Sequence, residues 1–235
     1  MNLKMSNEIG IATNEILPLQ MKKVEKSLIE VKFYTYIKRT ADIMVSSIAL
    51  VFLLPLFAVI SIFIKSDSKG KAIFTQTRIG EDGKLFKLYK FRTMIPNADE
   101  KLKELLAKDN SAREEYQKNK KLKNDPRVTR VGAFLRKTSL DELPQLINVL
   151  KGEMSLIGPR PYLPREQDDM GVYYRNIIQS KPGITGLWQV SGRSNTTFNE
   201  RLKIDLEYNA RKSLKQDFVI LIKTVSVLLK KEGAV

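Results

Sequence analysis

Two adjacent carboxylates, Asp141 and Glu142, sit at the centre of the segment Thr138-Ser139-Leu140-Asp141-Glu142-Leu143-Pro144. Around them, between Asp125 and Pro161, the chain concentrates Arg127, Arg130, Arg136, Lys137 and Arg160. A carboxylate with an ordinary pKa of about 3.9 is almost wholly ionised at neutral pH, so it attacks an electrophile without a base to take its proton. That property suits a chain that contains neither His nor Cys. Their absence excludes disulfides, thiolate and imidazole metal sites, Cys nucleophiles and hydroxyl nucleophiles that rely on a His base. If the electrophile is phosphorus, negative charge meets negative charge, and Arg, Lys or Mg²⁺ must shield the phosphate oxygens. Lys90 and Arg92, in Lys90-Phe91-Arg92-Thr93-Met94, and Arg160, held between Pro159 and Pro161, add to the cations available. A guanidinium grips phosphate through two parallel contacts, which favours Arg for holding a diphosphate in register.

The same residues admit a purely structural account. Ser139 and Glu142 have the spacing of a capping box, with Ser139 as N-cap of a helix whose apolar stripe is Leu143, Leu146, Ile147 and Leu150. This leaves Asp141 as a carboxylate near a helix N-terminus, where its charged form is favoured.

The rest of the chain must position these groups and supply a partner for them. Lys and Arg number 41 against 26 Asp and Glu, a net charge of +15, and the pI is near 9.8. The partner is therefore anionic, and nucleic acid, a membrane surface and a phosphorylated substrate all fit. With 43% hydrophobic residues the chain is too apolar for a disordered tail, and 235 residues suit one domain with appendages. Neither G-x-G-x-x-G nor G-x-x-x-x-G-K-[ST] occurs, so nucleotide recognition falls to side chains.

Residues 1–35 read as an N-terminal extension without the continuous apolar core of a signal peptide. Ile43 to Ile64 is then a run of 22 residues without charge. A helix of that length reaches about 33 Å, enough to cross a hydrocarbon core of about 30 Å. Pro55 falls in its middle, and both flanks are basic, with Lys38 and Arg39 before it and Lys65, Lys69 and Lys71 after it. Under the positive-inside rule both ends prefer the cytoplasm, which a helix that breaks near Leu54-Pro55 and returns would satisfy. A kinked spanning helix is the competing arrangement. Ala72 to Ile79 and Lys84 to Phe91 are β-rich and flank the turn Gly80-Glu81-Asp82-Gly83, which predicts a short hairpin. Asn97 to about Lys123 reads as one or two amphipathic helices with Leu102, Leu105 and Leu106 on the apolar face. Asp217 to Lys231 reads as a further helix, either in the core or lying in a headgroup region.

Several long motifs in order make the chain resemble the bacterial sugar transferases: polyprenyl-phosphate hexose-1-phosphate transferases, or small monotopic phosphoglycosyl transferases. The resemblance runs from about Tyr36 to Leu229. It covers Lys38-Arg39 with Asp42, the run around Pro55, Phe74 to Gly80, Lys90 to Met94, the Asp125 to Pro161 block, and Lys181-Pro182-Gly183-Ile184-Thr185-Gly186-Leu187-Trp188-Gln189-Val190-Ser191-Gly192-Arg193. It implies an α+β, mainly α, monotopic membrane protein with a re-entrant helix-break-helix, a small β-hairpin and amphipathic interfacial helices. The divisions are then 1–35 extension, 36–71 membrane hairpin with basic flanks, and 72–235 cytoplasmic catalytic domain. The implied reaction moves a hexose 1-phosphate from a UDP-sugar to undecaprenyl phosphate, releases UMP, and starts capsule, exopolysaccharide or O-antigen synthesis. By the same resemblance Asp141 is the nucleophile and forms a phosphosugar ester. Asp141 and Glu142 hold Mg²⁺, and Lys90, Arg92, Arg136, Arg160 and Arg193 bind substrate. The implied location is the cytoplasmic face of the bacterial inner membrane, with no nucleic-acid partner. A homodimer is compatible with the sequence. Compared with longer members that carry an N-terminal membrane bundle, this chain has one membrane segment and a short leader. Trp188 and Arg193 are candidates for binding uracil or sugar, although a lone Trp is also an ordinary packing residue. Galactose, glucose and an N-acetylated sugar all remain open as the hexose. The rival reading is a basic scaffold that binds anionic lipid without catalysis.

Overall fold

The computed structural model describes residues 28–119, 122–191 and 196–230. They form a mostly helical body with two small two-stranded sheets and one long apolar helix. That helix, α1, covers Leu28–Asp67, 40 residues with Pro55 inside. The break expected at Leu54-Pro55 is therefore corrected: the chain stays helical through the proline. Proline removes its own N–H from the ladder, and the neighbouring turns carry the helix across the gap.

Both ends of α1 are fastened to the same body. At the N-terminal end Lys38 Nζ meets Asp217 Oδ2 at 2.7 Å. Arg39 donates to the carbonyls of Val149 and Leu150 at 2.6 and 2.9 Å. The buried Asp42 accepts from Ser155 Oγ and Leu156 N. At the other end Ile60 and Ile64 are buried against Phe91 and Leu135, and Asp67 accepts from Val131 N. Between these anchors α1 turns Val51, Phe52, Leu54 and Ile62 outward.

The hairpin forms as the sequence predicts. Strands β1 (Ile73–Ile79) and β2 (Leu85–Phe91) pair antiparallel from Ile73↔Phe91 to Ile79↔Leu85. Asp82 and Gly83 adopt positive φ in the turn between them. Phe86, Leu88 and Phe91 are buried, while Leu85 and Lys87 are exposed. Two charged helices follow, α2 (Ala98–Lys108) and α3 (Asn110–Asn119). Leu102 is the residue of the expected leucine face that becomes buried in α2.

Helices α4 (Arg130–Thr138) and α5 (Gln145–Lys151) flank the Asp141-Glu142 segment. A Cβ on Gly132 of α4 would overlap the backbone carbonyl of Thr93, so this helix lies directly on the chain after β2. Gly132→Ala forces the two backbones apart, at about 2–3 kcal/mol for an overpacked site. We expect the melting temperature to fall by about 5–10 °C for a domain of this size. A variant that melts with the wild type would mean that this approach is not a close one.

Beyond α5, β3 (Ser155–Ile157) pairs parallel with β4 (Gly183–Thr185), a sheet the sequence pattern does not announce. Between them run the short helices α6 (Gln167–Met170) and α7 (Tyr174–Ile177). After β4 come α8 (Leu187–Ser191), α9 (Phe198–Arg211) and α10 (Leu214–Lys230). Helix α10 is neither a core helix nor a free one. It buries Asp217 and Ile220 and leaves Phe218, Val219, Leu221, Ile222 and Val225 exposed.

Candidate active site

The capping box inferred for Ser139 does not form. Ser139 takes a left-handed conformation (φ 57°, ψ 17°) that ends α4, and its side chain caps nothing. Leu140–Glu142 is instead one 3-10 turn, and α5 begins after Pro144. The buried face of α5 is also shifted from the expected stripe. It presents Gln145, Leu146, Asn148 and Val149, while Ile147 is exposed. Asn148 explains the shift: its amide donates to Lys87 O and Glu153 Oε2, and its Oδ1 accepts from Tyr89 N, which joins α5 to the hairpin. Leu140 packs on the Ile60, Ile64, Phe91 and Leu135 cluster, so the turn is seated beside the end of α1.

Asp141 is consequently buried, 8% exposed. Lys90 Nζ, from β2, lies 2.6 Å from Glu142 Oε1 and 3.9 Å from Asp141 Oδ2. Burial raises the Asp141 pKa to about 6; Lys90 opposes that rise, Glu142 adds to it and Arg136 opposes it. Burial thus disfavours the charged form of this carboxylate, and two cations offset part of that cost. Arg136, on the last turn of α4, donates from Nε to Thr93 Oγ1 at 3.0 Å. Burial lowers its pKa, and the Asp141 charge is the largest influence opposing that.

A cleft opens beside the dyad, lined by Arg78, Lys90, Glu142, Gln145, Arg160 and Gln189. Arg160 is held there through its backbone, whose N–H donates to Asp205 Oδ2 at 3.2 Å. Tyr162 donates to the same oxygen at 2.7 Å. Asp205 is fully buried on α9, and burial raises its pKa to about 6 despite these bonds. Arg78 and Gln145 lie within segments that carry the resemblance, yet nothing in the sequence singles them out there, and Asp205 lies outside every such segment.

Of the cations inferred from sequence, Lys90, Arg136 and Arg160 gather around Asp141 and the cleft. Arg92 does not. Its Nη1 donates to Lys69 O, and its Nη2 to Ser68 O and Ile64 O, so its guanidinium caps the C-terminal end of α1. Arg127 is taken up by Asp125 in a two-contact ion pair. Arg193 lies outside the described residues. Trp188 is buried, with Arg160 and Arg201 over its ring and its indole N–H donating to Thr196 Oγ1, which is a packing arrangement.

Among the described residues no group of three or more Asp, Glu, His or Cys could hold a metal ion. Asp141 and Glu142 are therefore a two-carboxylate donor set. Mg²⁺ is commonly held by one or two carboxylates together with substrate phosphates, so this set fits an ion that arrives with a phosphorylated ligand.

The profile of the bacterial sugar transferase family matches residues 33–231. An uncharacterized sugar transferase of Haemophilus influenzae is 48% identical over 225 residues, which are 94% of this chain and 46% of that protein. The undecaprenyl-phosphate galactose phosphotransferase of Salmonella typhimurium is 50% identical over 203 residues, 85% of this chain and 42% of that protein. The exopolysaccharide production protein ExoY of Rhizobium meliloti is 44% identical over 200 residues, 84% of this chain and 87% of that protein. The chain thus spans less than half the length of the first two relatives and most of the third.

Proposed function

Since the chain belongs to the bacterial sugar transferase family, we propose that it transfers a hexose 1-phosphate from a UDP-sugar to undecaprenyl phosphate through a covalent Asp141 intermediate. The observation that carries this reading is the buried Asp141 carboxylate, 3.9 Å from Lys90 Nζ and under the charge of Arg136, in a turn seated beside the end of the apolar helix. In the first step a carboxylate oxygen of Asp141 attacks the sugar-bearing phosphorus. The bond from that phosphorus to the bridging oxygen breaks, and UMP leaves with the electron pair. In the second step an oxygen of undecaprenyl phosphate attacks the same phosphorus, the aspartyl–phosphorus bond breaks, and the carboxylate is restored. Lys90 and Arg136 offset the charge that accumulates on the phosphoryl oxygens. Asp141 and Glu142 would hold Mg²⁺ together with donor phosphate oxygens, and the ion would supply further neutralisation there.

The reading places the protein on the cytoplasmic leaflet as a monotopic enzyme. Both ends of α1 are fastened to one body, through Arg39 and Asp42 at one end and Ile64 and Asp67 at the other. A body on one side of a bilayer cannot hold both ends of a spanning helix. The basic flanks of the apolar run favour the same side, and the exposed apolar face of α10 suits a headgroup region. Because the chain has no native Cys, Thr40→Cys and Lys69→Cys can be labelled selectively in inverted and right-side-out vesicles. Both are expected to react from the cytoplasmic side, and opposite-side labelling would overturn the arrangement.

The activity is tested by measuring UMP release across a panel of UDP-sugars with undecaprenyl phosphate and Mg²⁺. Release with at least one UDP-hexose, lost on chelation, is the expected result. A protein that binds anionic vesicles in a salt-sensitive way and releases no UMP under any condition is a scaffold, and the proposal fails.

A further inference from the structure

The cleft is lined by three cations, Arg78, Lys90 and Arg160, and by the Glu142 carboxylate, which Lys90 holds. Arg78, on β1, is only 7% exposed. Its Nη1 donates to the Pro161 carbonyl at 2.9 Å and its Nη2 to Gln76 Oε1 at 2.7 Å, both uncharged acceptors. Its Nε is buried without a partner, and so are the Nε atoms of Arg160 and Arg201. Among the described residues no carboxylate lies within ion-pair distance of any of these three guanidiniums. Buried charges are ordinarily paired, because taking a lone ion out of water is costly. Burial first, and then the neighbouring Arg160, draws the Arg78 pKa down to about 9.

The two sets of cations around the dyad also belong to different elements. Arg136 stands on α4, which packs on α1 through Leu135. Arg78 and Arg160 line the cleft on the Lys90 and Glu142 side, together with Pro161, Gly183 and Ile184. Arg201 lies over the Trp188 ring at 4.2 Å and Arg160 over the same ring at 5.5 Å, so both guanidiniums share one aromatic contact beside the cleft.

We propose that Arg78, paired with Arg160, forms the site for the departing phosphate of a nucleoside diphosphate donor, the phosphate that leaves on the nucleoside. Arg136 then serves the phosphate that is transferred or that arrives on the lipid. This rests on the transferase reading above. When the bridging oxygen separates from the sugar-bearing phosphorus it keeps the bonding electrons, so negative charge grows on the phosphate held by Arg78 and Arg160. Two guanidiniums with no carboxylate in ion-pair contact among the described residues meet that charge without giving up an existing ion pair.

The test uses the full chain in detergent. Binding of UMP and of pyrophosphate is measured without lipid acceptor, and KM is measured separately for the UDP-sugar and for undecaprenyl phosphate. In Arg78→Gln, UMP and pyrophosphate are expected to bind about 10–100-fold more weakly, as for loss of charged hydrogen bonds. The donor KM rises in step while the lipid KM stays within about twofold. Arg78→Lys, which keeps the charge and loses the fork, is expected to fall between wild type and Gln. If the Gln variant does not fold, the Lys variant decides by the same constants. Unchanged donor constants in an active enzyme, or a lipid KM that rises as far as the donor KM, overturn the proposal alone. A wild-type protein that binds pyrophosphate in an Arg78-dependent way, yet neither binds UMP nor turns over, keeps the anion site and sinks the transferase reading.

Discussion

Asp141→Asn is expected to lower UMP release by about 10⁴-fold or more, since the amide has no ionised oxygen to form the ester. The same variant should fold at least as well as the wild type. The Asp141 pKa is raised by burial to about 6, so the folded state binds this proton more tightly than the unfolded chain does. Above pH 6 the ionised carboxylate therefore costs stability, and the cost is relieved as the pH falls from about 6 towards its ordinary value near 3.9. Removing the charge at pH 7.5 should raise stability by about 2 kcal/mol, seen as a higher melting temperature. Loss of activity with a gain in stability separates a chemical role from a structural one. Incubation of the wild type with a UDP-sugar labelled in the sugar-bearing phosphate, without lipid acceptor, should leave the label on the Asp141 peptide. Label found elsewhere, or an Asn variant that turns over normally, would remove the covalent step.

How far the sequence carries this reading depends on the kind of residue. Asp141, Glu142, Lys90, Arg136 and Arg160 were legible because reactive charge is scarce in a chain without His or Cys, and because their motifs stand in a familiar order. The hairpin was legible from two β-rich stretches on either side of a turn signal. Ser139 misled, since the spacing of Ser139 and Glu142 fits a capping box, whereas Lys90 claims the Glu142 carboxylate and Ser139 closes the preceding helix. Arg92, read as a substrate cation, is held on backbone carbonyls for a related reason. Sequence records a cation but not which carbonyls it will reach, and the end of α1 offered three. Arg78 and Asn148 lay inside matching segments without standing out, and Asp205 outside them, because what these residues do comes from burial, which arises only when distant segments meet.

The apolar helix divides in the same way. Its limits and its length could be read from an uncharged run, yet its continuity through Pro55 could not. The cost of an internal proline is a local quantity, while the anchors that hold α1 at both ends, Val149 and Ser155 for one and Leu135 and Val131 for the other, lie roughly a hundred residues away or at least sixty. Those anchors put Asp141 at the base of the apolar segment. In the arrangement we propose, a carboxylate there is close to a phosphate carried on a lipid, so a buried nucleophile would meet a membrane-bound acceptor.

Lys90 offers the sharpest test of how the dyad is tuned. It lies 2.6 Å from Glu142 and 3.9 Å from Asp141, and it is the largest influence drawing the Asp141 pKa down against burial. In the wild type, activity should rise with pH through an apparent pKa near 6, as the nucleophile ionises, and level off above about 7. Lys90→Met removes the charge while keeping an apolar stem of similar length. Loss of one such charge from a preorganised site costs about 10²–10³ in kcat. The sign of the pH effect follows from the same contact: without Lys90 the ionised form of Asp141 loses its main support, so the acid limb must move upward. The limb reports the pair rather than one residue, since Asp141 and Glu142 interact. A fall in rate with an unmoved limb would make Lys90 a phosphate ligand only, and a limb that moves down would contradict the geometry. With an upward shift, part of the lost rate at neutral pH should return at pH 8 and above, a recovery that a merely misfolded variant cannot produce.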